Sequence, residues 1–256
     1  MQLPGAWIFP GLAFALVTAF LPASQPGGLP DTGRTGPVPV AGPGVEVTAA
    51  DPDGLGDLVR APGYHALRGV VSLAPDDAWA SGEGGDDISA RARHWDGTRW
   101  VPTRPPGGFV SGMYGLAAVS PTDIWGVGDI RGEALTNHWD GTSWRQVNTP
   151  PRAEGYTDWL QAVSAVATDD VWAVGRSTDT GPLLTVPLIE HWDGSRWRKV
   201  PYELPYGNTY GRLGGVVAIS TDDVWAVGST YGQRNAPLLL HWDGASWEPH
   251  TEIITS

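Results

Sequence analysis

The chain has 256 residues and a formal net charge of −12, with 28 Asp and Glu against 16 Lys and Arg. That balance argues against nucleic acid, which rewards a basic face, and against anionic membrane surfaces. No Cys occurs, so disulfides, thiolate metal sites, a cysteine nucleophile and lipid attachment at a cysteine are all excluded. Fourteen Trp stand among 35 Gly and 23 Pro. Each buried Trp removes roughly 150–250 Å² from water, so a core built on them needs no covalent staples.

Residues 1 to 24 read as a secretory signal peptide. Leu12 to Leu21 is a short, mostly apolar run, and Leu21-Pro22-Ala23 follows as a cleavage site. The leader lacks the usual Lys or Arg. Pro10 and Pro22 leave too few residues for a bilayer span. The expected address is secreted or cell-surface. Residues 25 to 62 form a Pro/Gly-rich linker, with Pro26-Gly27-Gly28, Gly36-Pro37-Val38-Pro39 and Gly42-Pro43-Gly44. Within it, Leu29-Pro30-Asp31-Thr32-Gly33 resembles a sortase signal. The order is wrong for one, because the apolar segment precedes it. Val45 to Thr48 reads as a lone strand.

Residues 63 to 256 are built on a repeat. A first Trp falls at Trp79, Trp125, Trp172 and Trp225, spaced by 46, 47 and 53 residues. A second follows a His, at Trp95, Trp139, Trp192 and Trp242. A third closes a W-D-G-x-x-W element, at Trp100, Trp144, Trp197 and Trp247. A fixed period in this range means a repeat architecture.

Each copy breaks into four strand-like pieces. In copy three they are Leu160 to Val166, Val171 to Gly175, Leu188 to Trp192 and Trp197 to Val200. Asp-Gly between the last two is a hairpin signal, because a primed turn needs positive φ. Both faces of the second piece are apolar, so both must be covered. A four-stranded antiparallel meander buried on both faces and repeated along the chain is a propeller blade. The expected fold is all-β: a β-propeller of four blades, at about 67–102, 116–147, 160–200 and 213–250. Copy one is eroded, with Arg91 and Arg93 where copy four has Leu238 and Leu240, as suits a terminal repeat. Four blades close only if the fourth packs on the first. The only other material for closure is Val45 to Tyr64.

The pattern L-x-x-V-x-x-x-x-D-D-V-W-A-V-G … H-W-D-G-x-S-W is clearest over Leu160 to Trp197 and Leu213 to Trp247. It is similar to repeats of exported bacterial β-propeller proteins described as kelch-like or galactose-oxidase-like. The resemblance implies the blade and is silent on activity. Kelch blades carry a diglycine after strand two, whereas single Gly stand here at 82, 128, 175 and 228. The sialidase Asp-box spacing differs too, and the copper oxidase needs a cysteine that this chain lacks.

Two recurring sets invite a chemical reading. His94, His138, His191 and His241 are potential metal ligands, but a hydrogen bond inside each blade explains their presence in every copy. The pairs Asp76-Asp77, Asp169-Asp170 and Asp222-Asp223 are potential Ca²⁺ ligands or acid–base partners. Asp is also a standard turn residue, and copy two has Thr122-Asp123 instead. No metal or cofactor is expected.

Strand alternation puts all the long, variable links at one end, where function usually sits. The aromatic residues there that follow no repeat are the candidates: Trp159, Tyr202, Tyr206 and Tyr231. Tyr210, Asn208 and Arg234 lie among them. Together they suit a sugar, which offers apolar C–H faces to aromatic rings and hydroxyls to polar groups. The reading is a non-catalytic binding or scaffold module for a glycan, cell-surface polymer or surface protein. The alternative is a glycoside hydrolase or polysaccharide lyase on the same scaffold. It requires a carboxylate pair that breaks the four-fold repetition, and none stands out.

Overall fold

The structure is a computed structural model that describes residues 66–84, 89–182, 184–202, 204, 210–231 and 235–250. The chain divides into two compact units, Met1–Thr48 and Ala49–Ser256, and all described residues belong to the second. The expected leader, linker and lone strand lie outside the described residues.

The described residues form sixteen strands in four antiparallel sheets of four. Blade one holds β1 (Ala66–Ala74), β2 (Asp77–Gly84), β3 (Ser89–Trp95) and β4 (Trp100–Thr103). Blade two holds β5 (Ser111–Ser120), β6 (Asp123–Ile130), β7 (Glu133–Trp139) and β8 (Trp144–Val147). Blade three holds β9 (Tyr156–Ala167), β10 (Asp170–Asp179), β11 (Thr185–Trp192) and β12 (Trp197–Lys199). Blade four holds β13 (Tyr210–Ser220), β14 (Asp223–Tyr231), β15 (Ala236–Trp242) and β16 (Trp247–Pro249). Strands pair in chain order within every sheet. The fold is the expected all-β propeller of four-stranded meanders.

Blades pack in sequence. The first strand of each lies across the first three strands of the blade before it. The contact is an aromatic interlock that recurs three times. Trp79, Trp125 and Trp172 stack or tilt against the His of their own blade, with centroids 4.3, 4.5 and 4.2 Å away. Each also meets two Trp of the next blade. Trp79 lies 4.9 Å from Trp139 and 5.6 Å from Trp144; Trp125 lies 5.0 Å from Trp192 and 5.3 Å from Trp197. Trp172 meets Trp242 at 5.1 Å and Trp247 at 5.4 Å. The third-Trp contacts are edge-on, as the ring quadrupole favours. Leu, Ile, Val and Ala from both blades fill the space around each interlock.

The W-D-G element is a hairpin whose flanking Trp pair across it, as in Trp192↔Trp197. As expected, the glycine takes the positive φ in each of these hairpins: Gly97 (87°), Gly141 (92°), Gly194 (84°) and Gly244 (93°). Asp stands at its flank. Its carboxylate accepts from the amides two and three residues on, at 2.9 Å for both Thr98 and Arg99 on Asp96 and 3.0 Å for both Ser195 and Arg196 on Asp193. The Thr98 hydroxyl and those two amides hold the Asp96 carboxyl down at about 2. Asp140, Asp193 and Asp243 are likewise held below the carboxylate range by the turn's own donors. The second Trp ties this hairpin to the neighbouring one, since Trp192 Nε1 donates to Thr168 O at 3.1 Å and Trp242 Nε1 to Thr221 O at 3.2 Å.

Gly194 is constrained twice, by its φ and by space. A Cβ there would lie 2.7 Å from Asp169 Cβ, in the β9–β10 turn of the same blade. Replacing Gly194 with Val is expected to cost about 1–3 kcal/mol, the usual toll of a side chain forced into positive φ. Chemical denaturation monitored by Trp fluorescence checks this. An unchanged midpoint would show that the hairpin tolerates the side chain.

Candidate functional site

The repeated His and Asp are consumed by the scaffold. His Nε2 is hydrogen-bonded to Asp Oδ1 in each blade, at 2.8 Å for His94–Asp77, 2.7 Å for His138–Asp123, 2.8 Å for His191–Asp170 and 2.9 Å for His241–Asp223. Each bond holds the imidazole against its Trp, stacked in blades one, three and four and tilted in blade two. Among the described residues no three His, Cys, Asp or Glu gather as a metal site.

Every first strand carries two β-bulges, and at one of them the residues differ from blade to blade: it lies between Leu67 and Gly69, Met113 and Gly115, Leu160 and Ala162, and Leu213 and Gly215. The residues skipped in pairing are Arg68, Tyr114, Gln161 and Gly214. Opposite them stand Gly82, Gly128, Gly175 and Gly228. A Cβ on any of these would lie 1.8–1.9 Å from a carbonyl oxygen of the bulged strand. The single glycine after W-A-V therefore marks a close backbone approach. Bulges re-aim side chains and are over-represented next to active sites. Here one backbone shape displays four different residues. The position after the glycine varies just as freely: Glu83, Asp129, Arg176 and Ser229.

In blades one and two these positions satisfy one another. Arg68 Nη2 donates to Glu83 Oε1 at 2.6 Å, and Tyr114 Oη donates to Asp129 Oδ1 at 2.6 Å. Burial, reinforced by the bond to Asp129, drives the Tyr114 hydroxyl above its ordinary range. Burial also raises Asp129. Tyr114 is thus a neutral donor at physiological pH and not a base.

Blades three and four leave a cleft of about 400 Å³ at the equivalent place. It is lined by Trp159, Gln161, Arg176, Arg212, Gly214 and Ser229, among others. The Arg176 guanidinium lies over the Trp159 ring at 4.4 Å, and that of Arg212 lies over Tyr231 at 5.7 Å. Ser229 Oγ donates to Tyr231 Oη at 2.7 Å. Arg212 and Gln161 are exposed, while Trp159 and Tyr231 are half-buried. The cleft thus combines aromatic surface, two cations oriented on rings, an amide and a hydroxyl.

Of the residues expected from sequence, Trp159 lines this cleft and Tyr231 supports it through Arg212. Tyr210 pairs with Tyr231 across β13 and β14. Tyr202 packs against the apolar core between blades three and four. Tyr206, Asn208 and Arg234 lie outside the described residues. Gln161 and Arg176 escaped the sequence reading, which looked for function in the links alone. The signal that finds them is a comparison of the copies position by position around the constant glycine.

A second irregularity is buried. Asp158 accepts from Ser177 Oγ and Lys199 Nζ, both at 2.6 Å, and Lys199 also reaches Pro151 O at 3.3 Å. Glu190 is fully buried and pairs with Lys199 across β11 and β12. Burial pushes its carboxyl up to about 8, partly opposed by Lys199 and reinforced by Asp158. Glu190 stands where the other copies have Arg93, Asn137 and Leu240. This asymmetric carboxylate pair was not recognised in the sequence. Neither side chain reaches solvent.

No family model matches the chain. No curated protein matches it either. Solved structures do. A fucose-specific lectin from Aleuria aurantia aligns at 12% identity and a TM-score of 0.47, over 68% of this chain and 55% of the lectin. YCF48 bound to a D1 peptide aligns at 11% identity and a TM-score of 0.36, over 75% of this chain and 83% of that one. A fucose lectin from Kordia zhangzhouensis, in complex with methyl-fucoside, aligns at 13% identity and a TM-score of 0.34, over 53% of this chain and 99% of its own. What each of those proteins binds is a property of that protein.

Glu190 makes stability depend on pH. A carboxyl whose pKa rises on folding keeps a proton that the unfolded chain has released, so stability falls as pH rises from about 4.5 to about 8. Glu190→Leu, which copies the residue in blade four, is expected to flatten that slope. It should also stabilise the fold at pH 8 by about 1–3 kcal/mol, the usual cost of an unmet buried polar group. Denaturant midpoints at pH 5 and pH 8 test both. A variant as pH-dependent as the parent would assign the slope elsewhere.

Proposed function

We propose that this propeller is a non-catalytic binding module whose cleft between blades three and four takes a glycan. The observation that carries the reading is the pair of ring-backed guanidiniums in one cleft, Arg176 on Trp159 and Arg212 on Tyr231. A sugar ring offers C–H faces to aromatic surface. Its hydroxyls suit the guanidiniums, Gln161 and Ser229. Holding each guanidinium on a ring reduces the entropy lost when it binds. Tyr206, Asn208 and Arg234 belong to links that join the strands of this site, and on sequence grounds they are part of the proposed surface. We place the protein outside the cell, on the strength of its apolar leader.

The enzymatic alternative has less support. Of the carboxylates that break the repetition among the described residues, Asp158 and Glu190 are enclosed, while Glu83 is held by Arg68 and Asp129 by Tyr114. Tyr114 is held in its protonated form. A hydrolase needs an acid and a second carboxylate that both reach the glycosidic bond.

A glycan array carrying fucosides, uronic acids and neutral polymers tests the reading. The wild type is expected to bind a defined subset. Trp159→Ala and Arg176→Ala should each weaken it about tenfold or more, corresponding to about 1.4 kcal/mol per decade, with the melting temperature preserved. Tyr206→Ala with Tyr231→Ala should act the same way. No bound glycan, or binding indifferent to Trp159 and Arg176, would overturn the assignment.

A further inference from the structure

The interlock that joins successive blades is left half-made at both ends of the described array. On its forward side each of the first three blades offers a Trp that the next blade covers. Trp79, Trp125 and Trp172 are 1–2% exposed. In blade four the equivalent Trp225 is only partly buried, its ring meeting His250 of its own blade at 4.8 Å. Its Nε1 donates to Asp223 Oδ1 at 2.8 Å. Around it Val227 is 50% exposed, where the equivalent Val127 and Val174 are fully buried. Val217 and Ile219 are open as well.

The rear side of blade one is the matching half. Trp144, Trp197 and Trp247 are buried against the preceding blade, whereas their counterpart Trp100 is only partly covered. Leu67 is 51% exposed, and its counterparts Met113, Leu160 and Leu213 are 0–2%. Val70 is 73% exposed, against 9% for Leu116 and 8% for Val163. Arg91 and Arg93 also stand on this face, at the positions where blades two to four bury Leu135, Leu188 and Leu238, and Asn137, Glu190 and Leu240; Arg91 donates to Gly84 O at 3.1 Å. So one face carries the slot and the other carries the Trp pair that fills such a slot three times over in this same chain.

We propose that blade four of one copy packs on blade one of a second copy, head to tail, through a fourth version of the same interlock. The occupant is a second copy because the two faces are the two halves of a contact already made between blades one and two, two and three, and three and four. Apolar patches of this kind are rarely left open to water. A head-to-tail contact uses different surfaces on the two partners, so it either closes into a ring or runs on. Two copies of four blades close at eight, within the range of about 4 to 8 known for propellers. Each copy then presents its blade-three and blade-four cleft on one shared rim. This pairing does not rest on the glycan reading.

Sedimentation of the full chain tests it, with Val227→Glu on the slot face and Val70→Glu on the Trp-pair face. Both positions are exposed, so both variants should fold, and an unchanged melting curve verifies this. The wild type is expected at twice the chain mass and each variant at the chain mass. An equimolar mixture of the two should return a species of two chains, because one intact interface remains between them. A monomeric wild type, as when residues 49–65 cover the faces, overturns the proposal. So does a Val70→Glu variant that keeps the wild-type mass, which would mean blade four pairs with itself. A mixture that stays monomeric, or a wild type that grows with concentration, overturns the two-copy ring.

Discussion

The fold depends on one contact: an indole held flat by its own blade and covered by two indoles of the next. The His–Asp bond fixes the near side, because His94 or His191 cannot stack on Trp without an acceptor for its ring nitrogen. The W-D-G hairpin fixes the far side, since it sets the two covering Trp opposite each other. Neither works alone. A stacked Trp without its cover stays half-wet, as Trp225 shows, and a third Trp without a slot is only half-buried, as Trp100 shows. The two short turns of each blade exist to serve this contact. They pack on each other so tightly that only glycine fits at residues 97, 141, 194 and 244.

This explains which parts of the molecule could be read from the sequence. A contact made identically in every copy leaves its trace at a fixed period, so the blades, the hairpins and an intra-blade bond for each His were legible; that its partner is the Asp read as a turn residue was not. The glycine of each W-D-G hairpin was legible from its need for positive φ, and only geometry shows that Asp96 serves as an acceptor. The cleft was half legible. Trp159 and Tyr231 announced themselves by following no repeat. Gln161 and Arg176 did not, because a bulge is a property of pairing: the skipped residue is defined by what its neighbours bond to. Glu190 was invisible for a related reason. Its titration is set by burial and by two charges, Lys199 across the β11–β12 hairpin and Asp158 in β9, and Asp158 is distant in sequence.

The bulge separates what holds the blade from what the blade displays. Its backbone is locked by a glycine whose Cβ has no room, so the strand is bent in the same way at Gly82, Gly128, Gly175 and Gly228. The side chains beside it are then free to differ without disturbing the core. Blade one spends them on an ion pair, blade two on a Tyr–carboxylate bond, and blades three and four on cations laid against aromatic rings. A repeat protein gains variety this way at little structural cost, because stability lies in the nearest-neighbour contacts.

The nearest-neighbour packing also sets an order of opening. An inner blade is held on both faces, whereas a terminal blade of a single copy is held on one. Local opening should therefore begin at the ends and move inward, with the amides of β13 to β16 exchanging with solvent before those of β5 to β12. The cleft straddles the junction between blades three and four, so anything bound there ties the loosest blade to a firmer one. Occupancy of the cleft would then be legible as slower exchange throughout blade four, including strands that the ligand never touches.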